Sequence, residues 1–177
     1  MLDKILIIDF EDSFTYNIAN VIFPFEKSCK VISHTEFFNT TIQECLITTE
    51  RHGIILGPGP GHPDHYEKYF NEIKKLMHKK NIYILGICLG HQILGRISGY
   101  PVLKSHDQKH GQTVLVNFKG HEYEVQRYNS LSVFINNVET DFCAFDRGIS
   151  YQFHPESVGT QQNDIFFKDL FAFLTPE

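Results

Sequence analysis

The chain has 177 residues, of which 42% are hydrophobic and 21% are charged, and its formal net charge is −5 at pH 7. These proportions are typical of a globular protein, and the length predicts one domain that covers residues 1–177. The negative charge argues against a general nucleic-acid-binding protein, which needs a basic face. No apolar run approaches the roughly 20 residues that cross a membrane as a helix.

The four cysteines lie far apart in the sequence, at positions 29, 45, 88 and 143. No pair forms a CxxC motif, so neither a metal site nor a redox pair is predicted. The N-terminal residues have no signal-peptide pattern. We therefore expect a cytoplasmic protein whose thiols stay reduced.

Short apolar runs alternate with helical patterns in the first half of the chain. Strands are predicted at residues 4–9, 29–34, 53–56 and 82–87, and helices at 13–23, 41–47, 66–77 and 89–97. The helix at 66–77 has the clearest pattern, since its apolar residues recur at spacings of three and four. This alternation predicts a parallel sheet with helices on both faces.

The second half of the chain has a different pattern. Residues 113–118 and 122–127 alternate in polarity around Lys119-Gly120, which predicts a hairpin. Two more short strands, at 142–145 and 149–153, and a final helix at about 164–174 follow. We therefore predict an α/β fold with a mixed, mostly parallel sheet that is antiparallel toward one end.

Cys88 stands between a predicted strand and a predicted helix, in the sequence Gly86-Ile87-Cys88-Leu89-Gly90. This G-x-C-x-G pattern is the thiol form of the nucleophile elbow, in which a tight turn raises the nucleophile from the edge of the sheet. The start of the following helix would favour the thiolate. The alternative is a buried core cysteine, which is the usual state of a lone Cys. The flanking glycines favour the nucleophile.

A thiol nucleophile needs a base, and the chain has ten histidines. His154 is the strongest candidate because it follows a predicted strand and would lie at the same sheet edge as Cys88. Glu156, two residues later, is placed to orient the imidazole as the third member of a triad. The H-P-E sequence is a weak signal alone, since an ordinary turn uses the same residues.

The loop at 57–61 has the sequence Gly-Pro-Gly-Pro-Gly after the third predicted strand. Glycines let the backbone approach a ligand closely, and prolines make the loop rigid. One N–H of this loop and the N–H of Leu89 are candidates to bind an oxyanion. The loop lacks the Lys-Ser/Thr ending of a phosphate-binding loop. A rigid turn without function is the alternative.

Four segments carry a family resemblance: DFEDSFTYNI at 9–18, GPGPGHP at 57–63, GICLGHQ at 86–92 and YQFHPES at 151–157. Together they resemble the class I glutamine amidotransferases, over about residues 4–174. The first segment is similar to the amidotransferase subunits (component II) of anthranilate synthase and aminodeoxychorismate (para-aminobenzoate) synthase. His110-Gly111 and RYNSL at 127–131 resemble further motifs of that branch.

The resemblance implies a flavodoxin-like fold and a Cys-His-Glu triad of Cys88, His154 and Glu156. Cys88 would attack glutamine and form a γ-glutamyl thioester. The released ammonia would pass to a chorismate-binding synthase subunit of tryptophan or folate biosynthesis. No cofactor is implied for this chain, because any Mg²⁺ would belong with chorismate on the partner. The implied oxyanion hole is the backbone of Gly59 and Leu89, and the implied glutamine-binding residues are Gly59, Pro60, Gly61, Gln92, Ser130 and Leu131.

Three positions depart from the family pattern. Phe10 replaces the usual Asn, Gln112 the usual Lys, and Asn129 the usual His. Asn129 neighbours the implied glutamine-binding residues 130–131. Gln112 lies in a loop that the family uses near its partner, so this replacement bears on the coupling between the subunits.

Two other functions remain open on the sequence alone. One is a stand-alone cysteine hydrolase of γ-glutamyl compounds, which would use the same triad. The other is a regulatory subunit that has lost catalysis, although the Cys and the His are both retained. The sequence also leaves open which of the two synthases is served.

Overall fold

A computed structural model describes residues 2–175, so Met1, Pro176 and Glu177 of the predicted domain lie outside the described residues. The strands are β1 (Ile5–Asp9), β2 (Cys29–Ser33), β3 (His52–Leu56), β4 (Ile82–Ile87), β5 (Val102–Phe118), β6 (His121–Ile135), β7 (Val138–Glu139), β8 (Phe142–Phe145) and β9 (Gly148–Tyr151). The α-helices are α1 (Thr15–Ile22), α2 (His34–Glu36), α3 (Ile42–Ile47), α4 (Phe70–Met77), α5 (Leu89–Ile97) and α6 (Lys168–Leu174).

The central sheet has six strands in the order β2-β1-β3-β4-β9-β8. All neighbouring pairs are parallel except β8–β9, which is antiparallel and lies at one edge. The predicted mixed α/β fold, parallel at its centre, is confirmed. Because β1, β3, β4 and β9 run in the same direction, the loops that follow them meet at one edge of the sheet, where open α/β sheets bind ligands.

Both faces of the sheet are buried, which explains why its central strands are continuous apolar runs. Alternate residues of β1 separate the two cores: Ile5 and Ile7 pack with α1 and α6, whereas Leu6 and Ile8 pack with α3, α4 and α5. Helices therefore cover both sides, and the strand ends are held rigidly between two packed layers.

The predicted hairpin is real but longer than expected, and it does not join the central sheet. Strands β5 and β6 pair with each other over most of their length and form a separate three-stranded sheet with β7. Register shifts interrupt β5 between Lys104 and Lys109 and between His110 and Gln112. This stretch is mostly exposed, so it lacks the alternation of apolar residues by which a strand is predicted.

Helical boundaries also differ from the prediction at three places. The helix expected at 41–47 is preceded by α2 and a π-helical turn at Phe37–Thr41. The helices expected at 66–77 and 164–174 each begin with 3₁₀ turns, at Pro63–Tyr69 and Asn163–Phe167. Within residues 2–175, no helix has the length and apolar character needed to cross a membrane.

Candidate active site

Cys88 lies between β4 and α5, at the carboxyl edge of the sheet. Its backbone has φ of 52° and ψ of −99°, a conformation that non-glycine residues rarely adopt. The Cys88 N–H donates to the Tyr151 carbonyl at 2.8 Å, which ties the turn to the neighbouring β9. Strain of this kind is typical of a nucleophile elbow, where the surrounding structure holds the turn in place.

The glycines on either side of Cys88 are required by space. A Cβ on Gly90 would lie 2.0 Å from the Leu56 carbonyl oxygen, and one on Gly86 would lie 2.8 Å from the Gly90 backbone. The Gly90 N–H donates to the Gly57 carbonyl at 3.3 Å. The first turn of α5 therefore sits directly on the end of β3 and on the start of the loop at 57–61.

His154 and Glu156 follow β9 and are both buried. His154 Nδ1 lies 2.7 Å from Glu156 Oε1. Burial lowers the pKa of His154, but its interactions with Cys88 and Glu156 raise that pKa well above its usual value. His154 Nε2 is buried and has no hydrogen-bond partner within residues 2–175. The raised pKa makes His154 a stronger base toward the Cys88 thiol.

The imidazole of His154 is fixed by its surroundings as well as by Glu156. The backbone N–H of His154 donates to the Gln126 carbonyl at 2.8 Å, which joins this turn to β6. The rings of Tyr128 and Phe14 pack against the imidazole, with centroid distances of 5.1 and 5.5 Å. Phe14 comes from the loop after β1, so three separate segments position the base.

Two further groups contact the sulfur of Cys88. The thiol lies 3.9 Å from the Tyr128 carbonyl oxygen, which is placed to accept its proton in a hydrogen bond. Gln152 Nε2 donates to Cys88 Sγ at 3.8 Å. The sulfur therefore has a donor and an acceptor beside it in addition to His154.

A cavity of about 230 Å³ opens beside Cys88. It is lined by Gly59, Gly61, Cys88, Gln92, Tyr128, Asn129, Ser130 and Leu131. Five of the six predicted glutamine-binding residues are in this lining. Pro60 is the exception, since it is exposed on the loop. Leu89 is buried below the cavity, and as the first residue of α5 its N–H has no acceptor within the helix.

The loop at 57–61 packs tightly over Phe10. A Cβ on Gly59 would lie 2.5 Å from Phe10 Cβ and 2.6 Å from Leu89 Cδ2. Phe10 is buried, stacks on His34 and meets Tyr66 edge-on. Phe10, which replaces the family's usual Asn, therefore supports the loop at 57–61 by aromatic packing.

Asn129 holds the segment that lines the opposite side of the cavity. Its Nδ2 donates to the Leu131 carbonyl at 3.0 Å and to Ser132 Oγ at 3.2 Å. Its Oδ1 accepts from Arg127 Nε at 3.0 Å. All polar atoms of its side chain are used, so this buried Asn stabilises the β6 segment at 129–132 in one conformation.

His110 and Gln112, which belong to or adjoin a further family motif, lie on the exposed part of the β5–β6 hairpin. Ser130 Oγ lies 3.3 Å from His110 Nε2, which links the two segments that resemble the same branch of the family. Gln112 pairs with Arg127 in the β5–β6 ladder and lies outside the cavity lining. Within residues 2–175, no cluster of three or more His, Cys, Asp or Glu residues is arranged to hold a metal ion.

Comparison with known proteins identifies the family. The family model for class I glutamine amidotransferases matches residues 6–173. The chain belongs to the class I glutamine amidotransferase family. It is 32% identical to anthranilate synthase component 2 of Saccharolobus solfataricus, with 98% of each chain covered. The predicted resemblance is confirmed.

A second relative is much longer than this chain. It is a Schizosaccharomyces pombe protein provisionally assigned as an aminodeoxychorismate synthase, 28% identical over 96% of this chain. The chain spans 26% of that protein's length. Among solved structures, a glutamine amidotransferase from Thermotoga maritima superposes with a TM-score of 0.62 at 19% identity. The superposition covers 86% of this chain and 75% of the Thermotoga chain, and at this identity it supports the fold alone.

Three residues near Cys88 were not assigned to the site from the sequence: Tyr128, Asn129 and Gln152. Tyr128 and Asn129 line the cavity beside the predicted Ser130 and Leu131. Their neighbourhood in the RYNSL motif was the available signal. Gln152 precedes His154 by two residues in the YQFHPES motif, but its contact with Cys88 depends on the pairing of β4 with β9.

Proposed function

We propose that this chain is a glutaminase subunit that hydrolyses L-glutamine to glutamate and delivers ammonia to a synthase partner. The observation that supports this most directly is the arrangement around Cys88. One edge of the sheet holds Cys88 with its strained backbone, the buried His154–Glu156 pair and a cavity of about 230 Å³. Family membership supports glutamine amidotransferase activity in general.

In the proposed reaction, Cys88 transfers its proton to His154 and attacks the side-chain amide carbon of glutamine. The carbonyl oxygen becomes an oxyanion that the N–H groups of Gly59 and Leu89 stabilise. His154 then protonates the departing nitrogen, the C–N bond breaks, and ammonia leaves a γ-glutamyl thioester on Cys88. His154 next removes a proton from water, and the oxygen attacks the thioester carbon. The C–S bond breaks, glutamate leaves, and the proton on His154 returns to the Cys88 sulfur. Glu156 keeps the imidazole oriented in both steps.

The residues of the cavity are placed to bind the amino-acid end of glutamine. The lining includes Gln92, Ser130 and Leu131 together with Gly59 and Gly61 of the loop at 57–61. The cavity is smaller than the roughly 300–1,000 Å³ of sites for drug-sized ligands. A cavity of this size accommodates a single amino acid such as glutamine.

We further propose a chorismate-binding partner that makes anthranilate or 4-amino-4-deoxychorismate, in tryptophan or folate biosynthesis. The names of the relatives support a synthase partner, and they point to both products. The proposed unit is one domain in the cytoplasm, where four free cysteines would stay reduced. No cofactor takes part in the proposed glutamine hydrolysis.

The test is to mix this chain with each candidate chorismate-binding subunit, in the presence of glutamine and chorismate. We expect glutamate formation to rise with the correct partner, and the product, anthranilate or aminodeoxychorismate, names the pathway. Full turnover of γ-glutamyl compounds without a partner would instead favour the stand-alone hydrolase. Partner binding with no glutamate and no thioester would favour the regulatory subunit.

A further inference from the structure

Gln152 is buried at the end of β9 and reaches the sulfur of the candidate nucleophile. Its Nε2 donates to Cys88 Sγ at 3.8 Å. Its backbone N–H donates to the Asp141 carbonyl at 2.8 Å, so the residue is fixed at both ends. A buried amide that uses one of its few hydrogen bonds on a sulfur needs an explanation, since sulfur is a weak acceptor unless it is ionised.

The orientation of this amide is determined by a directed chain of hydrogen bonds. The Leu131 carbonyl can only accept, and it accepts from Gln92 Nε2 at 3.0 Å. This fixes which end of the Gln92 amide carries the donors. The second hydrogen of Gln92 Nε2 then points to Gln152 Oε1, at 3.3 Å. With its oxygen held by Gln92, Gln152 must present its nitrogen to the sulfur.

We propose that Gln152 is a catalytic residue whose amide N–H stabilises the thiolate of Cys88, and that Gln92 orients it for this role. The proposal rests on the proposed glutaminase function and adds a donor to its mechanism. Hydrogen bonds to an ionised acceptor are stronger than those to a neutral one, so the contact favours the thiolate over the thiol. The donor is neutral, so it remains in place whether His154 is protonated or not.

The same series of hydrogen bonds connects the sulfur to the substrate cavity. Gln92 lines that cavity, and the Leu131 carbonyl that orients it also accepts from Asn129. A displacement of the segment at 129–132 would therefore release the Gln152 amide to rotate. The nucleophile would be most reactive when the wall that binds substrate is in its ordered conformation.

The test measures how fast iodoacetamide alkylates Cys88 as a function of pH, with the labelled peptide identified by mass spectrometry. The ionisable groups beside the sulfur include His154, Glu156 behind it and Tyr128, which lines the same cavity, and all three are kept in every variant. In Gln152→Met we expect the midpoint of the pH profile to rise by about one unit. Alkylation at pH values below the midpoint would then slow about tenfold, because the thiolate is the reactive form.

A second variant removes only the orienting contact. In Gln92→Met the Gln152 donor is still present but free to turn, so the midpoint should rise by less than in Gln152→Met. Gln161→Met is the matched control, because Gln161 bonds to Glu124 on the surface and should leave the profile unchanged. Thermal unfolding of each variant establishes that it is folded at the assay temperature.

Turnover supplies an independent check. In Gln152→Met, kcat/KM for glutamine should fall at neutral pH and recover as the pH rises, which a purely structural defect would not do. An alkylation profile of Gln152→Met that coincides with the native one would overturn the proposal. Absence of glutaminase activity in the native protein would overturn the proposed function, but not the action of Gln152 on the sulfur, because alkylation needs no turnover.

Discussion

The backbone at Cys88 is strained. At the scale of single residues, the site depends on the neighbouring residues that hold this strained conformation in place. Gly86 and Gly90 leave room for the turn, and the Tyr151 carbonyl binds its N–H. His154 and Glu156 add a buried, hydrogen-bonded pair beside it. Each of these contacts can be altered by one substitution with a defined consequence.

Gly90→Ala should destabilise the protein strongly. The new Cβ would lie 2.0 Å from the Leu56 carbonyl oxygen, and this backbone atom cannot move without disturbing β3. We expect a loss of about 3 kcal/mol in the free energy of unfolding, at the upper end of overpacking effects, measured by urea titration. Gly159→Ala is the control: its Cβ would meet only the flexible side chain of Gln126, so a loss below about 1 kcal/mol is expected. Equal losses would contradict this explanation.

Glu156→Gln should lower the pKa of His154. The carboxylate is one of the two partners that raise this pKa above its usual value against the effect of burial. Histidine side-chain NMR across a pH titration reports the change directly, and the histidines outside the site serve as internal controls. A His154 titration curve that does not move in Glu156→Gln would show that the carboxylate has no electrostatic influence on the base.

At the scale of elements, helix α5 is attached to the sheet by a second buried histidine. His91 Nδ1 lies 2.8 Å from Ser150 Oγ on β9. Burial, with a smaller effect from the positive charge of Arg127, lowers the pKa of His91 to about 3. His91 is therefore neutral in the folded protein, and its protonation opposes the packing of α5 against β9.

The pH dependence of stability follows from this shift. The folded-state pKa lies below the unfolded value of 6.5, so His91 costs nothing above pH 6.5 and destabilises the fold progressively as the pH falls toward 3. In His91→Asn, the free energy of unfolding should fall less steeply over this interval, by up to about 1.4 kcal/mol per pH unit. Chemical denaturation at several pH values gives both slopes. Parallel slopes for the two proteins would be inconsistent with a neutral buried His91.

The segment at 129–132 is the second element that the site requires in one conformation. In Asn129→Ala the Leu131 carbonyl and Ser132 Oγ lose a donor, and the cavity wall becomes mobile. We expect the KM for glutamine to rise about tenfold, with a smaller change in kcat, measured with the synthase partner present. Asn117→Ala, on the exposed face of β5, should leave both constants unchanged. An unchanged KM in Asn129→Ala would show that the segment at 129–132 does not contribute to substrate binding.

The elements that the sequence predicts best are those buried on all sides. Strand β4 and helix α5 begin and end where the apolar pattern and the glycines place them. The long hairpin was predicted only in part, because the outer part of β5 is exposed and irregular and its polar residues carry no strand period. The two-residue strand β7 pairs only with β6, and two residues are too few to make a pattern.

The candidate site follows the same rule. Cys88, His154 and Glu156 could be placed at one sheet edge from the sequence, because glycines flank Cys88 and the other two follow a predicted strand. The contacts of Gln152 and Asn129 could not, because they depend on which strands become neighbours and on the conformation of β6 at 129–132. Local sequence patterns contain no information about such pairings.

At the scale of the whole molecule, one sheet edge collects the catalytic candidates from four segments that are distant in sequence. The loops after β1, β3, β4 and β9 meet there, and the separate hairpin sheet closes the cavity from above with Tyr128 and its neighbours. The hairpin therefore belongs to the site although it does not belong to the central sheet. Its exposed part, which includes Gln112, is available for contact with a partner.

The most direct test of the proposed chemistry is glutamate formation by the native protein and by Cys88→Ser, each with and without the chorismate-binding partner. We expect the native protein to form glutamate, faster with the partner, and to lose this activity when a glutamine-like electrophile labels Cys88. Cys29→Ser, which removes a half-buried thiol away from the cavity, should behave as the native protein. Cys88→Ser should form no glutamate above background, whereas glutamate formation at the native rate in Cys88→Ser would contradict the assignment of Cys88 as the nucleophile.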